Sequence, residues 1–196
     1  MLEALTGLGL ASAAGLNAYI PMLAMGLLSR FTDVLSVPPG WAWLENEWVM
    51  IILGVLLVID MVADKIPAVD SVNDIIQTVV RPASGGIVFG SGSASETIAV
   101  TDPESFVSSG QWVPIATGIV IALLVHLAKA AIRPVANAAT FGLAAPVLSA
   151  VEDGASIVLV VLAIVVPVLV VLAIVALTVL AVVVVRRRRR VSTAPV

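Results

Sequence analysis

From Ala155 to Val185 the chain is an almost unbroken run of Val, Leu, Ile and Ala, with Pro167 inside it and Arg186, Arg187, Arg188, Arg189 and Arg190 closing it. As a helix of about 31 residues it would reach roughly 46 Å, more than the hydrocarbon thickness of a bilayer, so it must tilt, kink or project. The composition points the same way. Hydrophobic residues make up 60% of the chain and charged ones 12%, where a soluble domain carries about a quarter charged residues. Mean hydropathy is +1.14. The expected class is an all-α integral membrane protein with about four transmembrane helices and two short broken or re-entrant segments, arranged as an inverted internal repeat. The five arginines favour a cytoplasmic end and would hold anionic lipid headgroups. So short a tail is not expected to bind nucleic acid, and self-association is left open.

Leu2 to Leu28 is long enough to cross. It is read as a retained first span and not a cleaved signal, because its early charge is Glu3 and it has no basic start. The run GLNAYIP places Asn17, Tyr19 and Pro21 at depth, and Pro21 is expected to bend or break the helix. Arg30 to Glu47 reads as a loop leading to Trp41, Trp43 and Trp48, whose rings suit the membrane interface. Ser91 to Gly110 reads as a solvated loop. Trp112 to Ile132 is a further span. The sequence divides into a polytopic domain (1–154), a Val-rich helix with a polybasic end (155–190) and a short tail (191–196).

Within this apolar chain, Asp70, Asp74, Gln77 and Arg81 recur at i, i+4, i+7 and i+11, one stripe of a helix backed by Val72, Ile75, Ile76, Val79 and Val80. Fifty-two positions on, RPASGGIVFG from Arg81 is answered by RPVANAATFG from Arg133. The offset carries the stripe onto His126, Lys129, Arg133 and Asn137. Two copies of one unit, about 59–94 and 111–150, are the expected repeat. Pro82 to Ser93 and Pro134 to Ala150 are too short to cross, and each is expected to dip in as a loop or half-helix.

Asp60 falls roughly 18 Å into a helix that begins near Trp48, at or past the midplane. A carboxylate there costs about 2.5–3.5 kcal/mol on insertion scales and marks a site with a partner to be found. Asp64 shares its face, and an ion pair with Lys129 or Arg133 is the bland alternative. Glu152 and Asp153 stand before the last span, where acids also serve as N-terminal helix charges. The candidate substrate or ion site is therefore Asn17, Asp60, Asp64, Asp70, Asp74, Arg81, His126, Lys129, Arg133, Asn137, Glu152 and Asp153. Placing the arginine tail in the cytoplasm and counting back puts the N-terminus there too, so the two Arg-Pro units enter from opposite faces. Opposed broken segments are the sequence pointer to a transporter site, and arginines beside them can hold a phosphate or carboxylate. The leading expectation is a transporter or channel for a small or lipid-linked anion; the alternative is a non-transporting structural or assembly factor. No catalytic motif is present, so an enzyme is not expected. With one histidine and no cysteine, no recognised metal-ligand set or cofactor site is expected, although Asp60 with Asp64, or Asp70 with Asp74, could hold a hard cation weakly.

Three stretches, GLNAYIP, DKIPAVDSVNDIIQTVVRPASGG and HLAKAAIRPVANAATFGLAAPVLSAVED, resemble bacterial membrane proteins of the domain of unknown function 4126 family. The resemblance covers about residues 1–155. It implies a polytopic inner-membrane protein and brings no activity with it. The positions matching the family's polar motif are Asn17, Asp60, Asp64, Lys65, Asp70, Asp74, Arg81, Lys129, Arg133, Asn137, Glu152 and Asp153. The Val-rich span and arginine tail are read as departures from the family pattern.

Overall fold

The structure, a computed structural model, describes residues 2–93, 110–140 and 145–179. Among these residues there are helices and turns but no strand. In chain order they are α1 (Leu2–Leu16), α2 (Tyr19–Phe31), a 3-10 helix (Pro39–Glu45), α3 (Glu47–Ala63), α4 (Pro67–Gly92), α5 (Trp112–Ala139), α6 (Ala145–Val165) and α7 (Val168–Val179). The tail from Arg186 to Arg190 lies outside the described residues, as does most of the expected loop from Ser91 to Gly110.

The bundle is built around α1, which lies against α4, α5 and α6. Its sequence explains that position. Gly7, Gly9, Ala11, Ser12, Ala13, Ala14 and Gly15 are all small and most are buried, so neighbouring backbones can approach closely where large side chains would hold them off. At Gly15 a Cβ would stand 2.7 Å from the Ala122 carbonyl oxygen of α5. Ser156 of α6 donates to the Ala13 carbonyl at 3.1 Å, and Thr6 donates to the Ala163 carbonyl at 2.9 Å.

The break expected at Pro21 falls just before it, at Asn17 and Ala18. Asn17 Oδ1 accepts from the backbone N–H groups of Tyr19 (3.0 Å) and Ile20 (3.3 Å), satisfying donors at the start of α2. Pro21 then sits in the first turn, where a missing N–H breaks no helical bond. Helix α3 starts at Asn46, whose side chain accepts from the Trp48 and Val49 N–H groups. A proline again opens α4, at Pro67.

Helices α4 and α5 pack antiparallel along their length. Asp70 meets Arg133, Thr78 meets His126, Gly85 meets Gly118 and Ala122, and Gly90 meets Ile115. The first Arg-Pro unit does not break as expected, and in the second the interruption falls beyond Pro134, with α5 ending at Ala139 and α6 beginning at Ala145. Residues 82–92 continue α4, and Pro134 lies inside α5. A loop there would leave several backbone groups unpaired in apolar surroundings, whereas a proline within a helix forfeits one bond. Close contact of Gly85 and Gly86 with α5 holds the helix in register.

The last span also differs from expectation. Helix α6 begins at Ala145, ahead of the Val-rich run, and the chain breaks at Val166–Pro167 before α7, which is the kink expected of an overlong run. The break turns Val170 onto Gly9 of α1. Trp43 and Trp48 are exposed, as an interfacial belt requires, but Trp41 is buried and packs on Gly90.

Many side chains facing outward are large and apolar, and several facing inward are charged. On α4, Ile75 is 72% and Val79 73% exposed, while Arg81 is fully buried. Such a surface suits lipid and not water. Among the described residues, 112–134 and 145–165 are long and apolar enough to cross a membrane; the 3-10 helix and α3, which meet at 62°, make a third if taken as one span.

Candidate functional site

Four elements and one helix break bring polar side chains to a single buried cluster. The end of α3 supplies Asp60 and the capping residue Asp64; α4 supplies Asp70, Asn73, Gln77 and Arg81; α5 supplies His126, Lys129 and Arg133; α6 supplies Glu152 and Asp153. Asn17 enters from the α1–α2 break.

Asp64 is the hub. Its Oδ2 accepts from Arg133 Nη2 at 2.9 Å and Lys129 Nζ at 3.2 Å, with Arg81 Nη2 at 3.7 Å, while its Oδ1 accepts from Asn73 at 2.9 Å. The side chains of helical residues lean toward the helix N-terminus. Because α4 and α5 are antiparallel, Arg81 and Arg133 lean toward each other and converge on this carboxylate from opposite directions.

Arg133 is fully engaged. Nε and Nη2 grip Glu152 at 3.3 and 2.5 Å, Nη1 pairs with Asp70, and Nη2 also reaches Asp64. Lys129 bridges Asp64 and Glu152 (3.0 Å) and donates to the Leu16 carbonyl at 3.4 Å, at the C-terminal end of α1, where a cation is favoured. Asp60 is held by amides: Asn73 at 2.6 Å, Gln77 at 2.7 Å and Asn17 at 3.4 Å. Asn17 also donates to Asp153 at 2.9 Å.

Arg81 is held quite differently. Among the described residues it is the largest fully buried side chain, yet its Nε and Nη2 have no hydrogen-bond partner among them. Asp64 and Asp60 stand 3.7 and 4.0 Å from Nη2, too far for a hydrogen bond. Its Nη1 lies 3.3 Å from His126 Nδ1. A guanidinium only donates, so Nδ1 is the acceptor and the imidazole is neutral with its proton on Nε2. Nε2 then donates to Thr78 Oγ1 at 3.0 Å, and that hydroxyl donates to the Asp74 carbonyl at 2.8 Å.

Of the residues expected from sequence, Asn17, Asp60, Asp64, Asp70, Arg81, Lys129, Arg133, Glu152 and Asp153 meet in the cluster, and His126 joins it through Arg81. Asp74 stands aside, its buried Oδ1 without a hydrogen-bond partner. Lys65 is exposed at the α3–α4 turn. The Asn137 side chain lies outside the described part. Glu152 and Asp153 do not cap a helix start: α6 begins a full two turns earlier, at Ala145, which turns both acids inward. Sequence reasoning omitted Asn73 and Thr78 and left Gln77 out of the site. Asn73 lies at i+3 from Asp70 and i−4 from Gln77, so the stripe itself carried the signal.

Over residues 4–187 the sequence matches the family described as Domain of unknown function (DUF4126). The chain belongs to this family. The DUF4126 match runs through the Val-rich segment and ends within the arginine tail, which corrects the reading of that segment as a departure from the family. No curated protein and no solved structure matches the chain.

Chemically, the cluster of this DUF4126 protein is rich in acid. Asp60, Asp64, Asp70, Glu152 and Asp153 outnumber Arg81, Lys129 and Arg133. A buried excess of negative charge is costly, and protons or a bound cation relieve it. Among the described residues no group of three or more His, Asp or Glu side chains is arranged to hold a metal ion. The Asn73 amide stands between Asp60 and Asp64 and presents N–H groups to both, which a cation would repel.

Proposed function

We propose that the protein is a transporter or channel for a small or lipid-linked anion, with Arg81 as the anion-holding group. One observation carries this reading: a wholly buried guanidinium whose Nε and Nη2 edge makes no hydrogen bond. That edge is a planar fork of two parallel donors, matched to a carboxylate or phosphate. Asp60 and Asp64 lie near enough to balance its charge and too far to occupy the fork. A proton taken up within the acid cluster shifts the charge balance around the guanidinium and frees it for an incoming anion; departure of the anion restores the internal pairing.

The discontinuity that serves the site is the α1–α2 break, which presents the Leu16 carbonyl and the Asn17 side chain. Interrupted helices of this kind bind substrates and coupling ions in transporters. We further infer that 59–94 and 111–150 descend from one repeated unit, a reading supported by the antiparallel arginines beside Pro82 and Pro134. The orientation proposed is cytoplasmic at both ends, in a bacterial inner membrane, with Arg186 to Arg190 against anionic headgroups.

A second reading is that the cluster only locks helices together. The complete engagement of Arg133 by Asp64, Asp70 and Glu152, which ties α5 to α4, α6 and the end of α3, favours it. Proteoliposome flux of inorganic phosphate and of small carboxylates separates the two. Transport by the wild type that is lost in Arg81→Ala and diminished in Arg81→Lys is expected; flux indifferent to both substitutions removes Arg81 from the path, and no flux in any form favours the lock.

A further inference from the structure

Asp153 differs from the other carboxylates of the cluster. Asp60, Asp64, Asp70 and Glu152 each lie within 4.0 Å of a cationic nitrogen, whereas among the described residues no ion pair reaches Asp153. Its Oδ1 accepts from Asn17 Nδ2 at 2.9 Å, and its Oδ2 is buried with no hydrogen-bond partner among the described residues. The side chain belongs to a residue only 7% exposed.

Asn17 cannot supply the missing contact. Its Oδ1 is committed to the N–H groups of Tyr19 and Ile20, which fixes the amide with both Nδ2 hydrogens toward the acids, one to Asp153 and one to Asp60. One turn back along the same face of α6, Ser149 is fully buried and its Oγ also lacks a partner. Residues four apart on a helix are neighbours on its surface. Two orphan oxygens on adjoining positions therefore face the interior, one on a carboxyl group and one on a hydroxyl.

The charges facing Asp153 are Asp60 and Asp64 from α3 and Lys129 from α5; on its own helix Glu152 is turned to Lys129 and Arg133. Two neighbouring acids and one cation already shared by Asp64 and Glu152 leave an ionised Asp153 without compensation, the arrangement a low-dielectric interior tolerates least. A metal cation is not the remedy, because it requires several oxygen ligands and Asn17 offers N–H groups. A proton is. It needs one oxygen and converts Oδ2 into a donor.

The geometry points to Asp153 as a proton-binding site, with the proton on Oδ2 and Ser149 the hydroxyl next to it along α6. Its role as the proton-coupling group rests on the transport reading above; occupancy by a proton does not.

The test uses the full chain reconstituted in lipid bilayers. Infrared spectroscopy of the wild type is expected to show the carbonyl stretch of a protonated carboxyl group, lost in Asp153→Asn and retained in Asp60→Asn. A hydrophobic carbodiimide, which modifies protonated carboxyl groups, is expected to label Asp153 in the wild type when the product is mapped by peptide mass spectrometry; this needs no variant and decides the matter if Asp153→Asn does not insert. A band that survives Asp153→Asn, or labelling that falls on Asp60 or Asp64 instead, or no labelling, overturns the assignment. A band and a label at Asp153 in a protein that moves no anion upholds the proton site and removes only its coupling role.

Discussion

One oxygen of Asp64 collects Arg133, Lys129 and, at longer range, Arg81, so the cluster depends on this residue more than on any other single acid. Removing one partner from a buried charge set leaves the others uncompensated, at a cost of about 3–5 kcal/mol. Asp64→Asn is accordingly expected to lower thermal stability in detergent steeply. Asp74→Asn, at a carboxylate outside the ion-pair network, is expected to leave the midpoint nearly unchanged; equal losses would show that Asp64 is no hub. At this scale much was legible. Asp60 stood out because a carboxylate deep in an apolar run is expensive and needs a reason. Asn73 did not, since a neutral amide on an amphipathic helix reads equally well as solvated.

Among the elements, the α4–α5 crossing is the contact that aligns the two charged stripes, and it depends on glycine. A Cβ on Gly85 would lie 2.6 Å from the Gly118 carbonyl oxygen, whereas one on Gly54 of α3 would meet nothing within 4 Å. Overpacking of this kind costs about 1–3 kcal/mol, so Gly85→Val is expected to destabilise the protein in denaturant titration and Gly54→Val to be tolerated. Matching effects would mean that the helices do not meet as closely as described. The periodicity of α4 was readable from Asp70 to Arg81. What misled was Pro82 with its glycine pair, which taken locally marks a break; the glycines instead make the packing surface that keeps the helix whole.

As a whole the molecule keeps a charged cluster inside an apolar core and carries many large apolar side chains on its surface, and its chain has no cysteine. It is therefore ready for single-cysteine labelling without further changes. With both termini proposed as cytoplasmic, Trp43→Cys, in the exposed part of the 3-10 helix and at the end of the bundle where α1 begins against Phe89 and Gly92, should react with a membrane-impermeant maleimide from the cytoplasmic side. Lys65→Cys, in the exposed turn between α3 and α4 at the opposite end of α4, should react from the other. Labelling of both from one side would cancel the proposed orientation and, with it, the inverted relation of the two Arg-Pro units.

Helical class, apolar exterior, the two charged stripes, the interruption near Pro21 and the family were all present in the order of residues, because each follows from composition or from spacing within a few turns. Tertiary structure alone decided that α1 lies at the centre, that Arg81 and Arg133 share Asp64, that α6 turns Glu152 and Asp153 inward, and that Arg81 keeps a free donor edge. These depend on which distant helices come within a few ångströms of one another. Close packing at small residues sets that, and no local period records it.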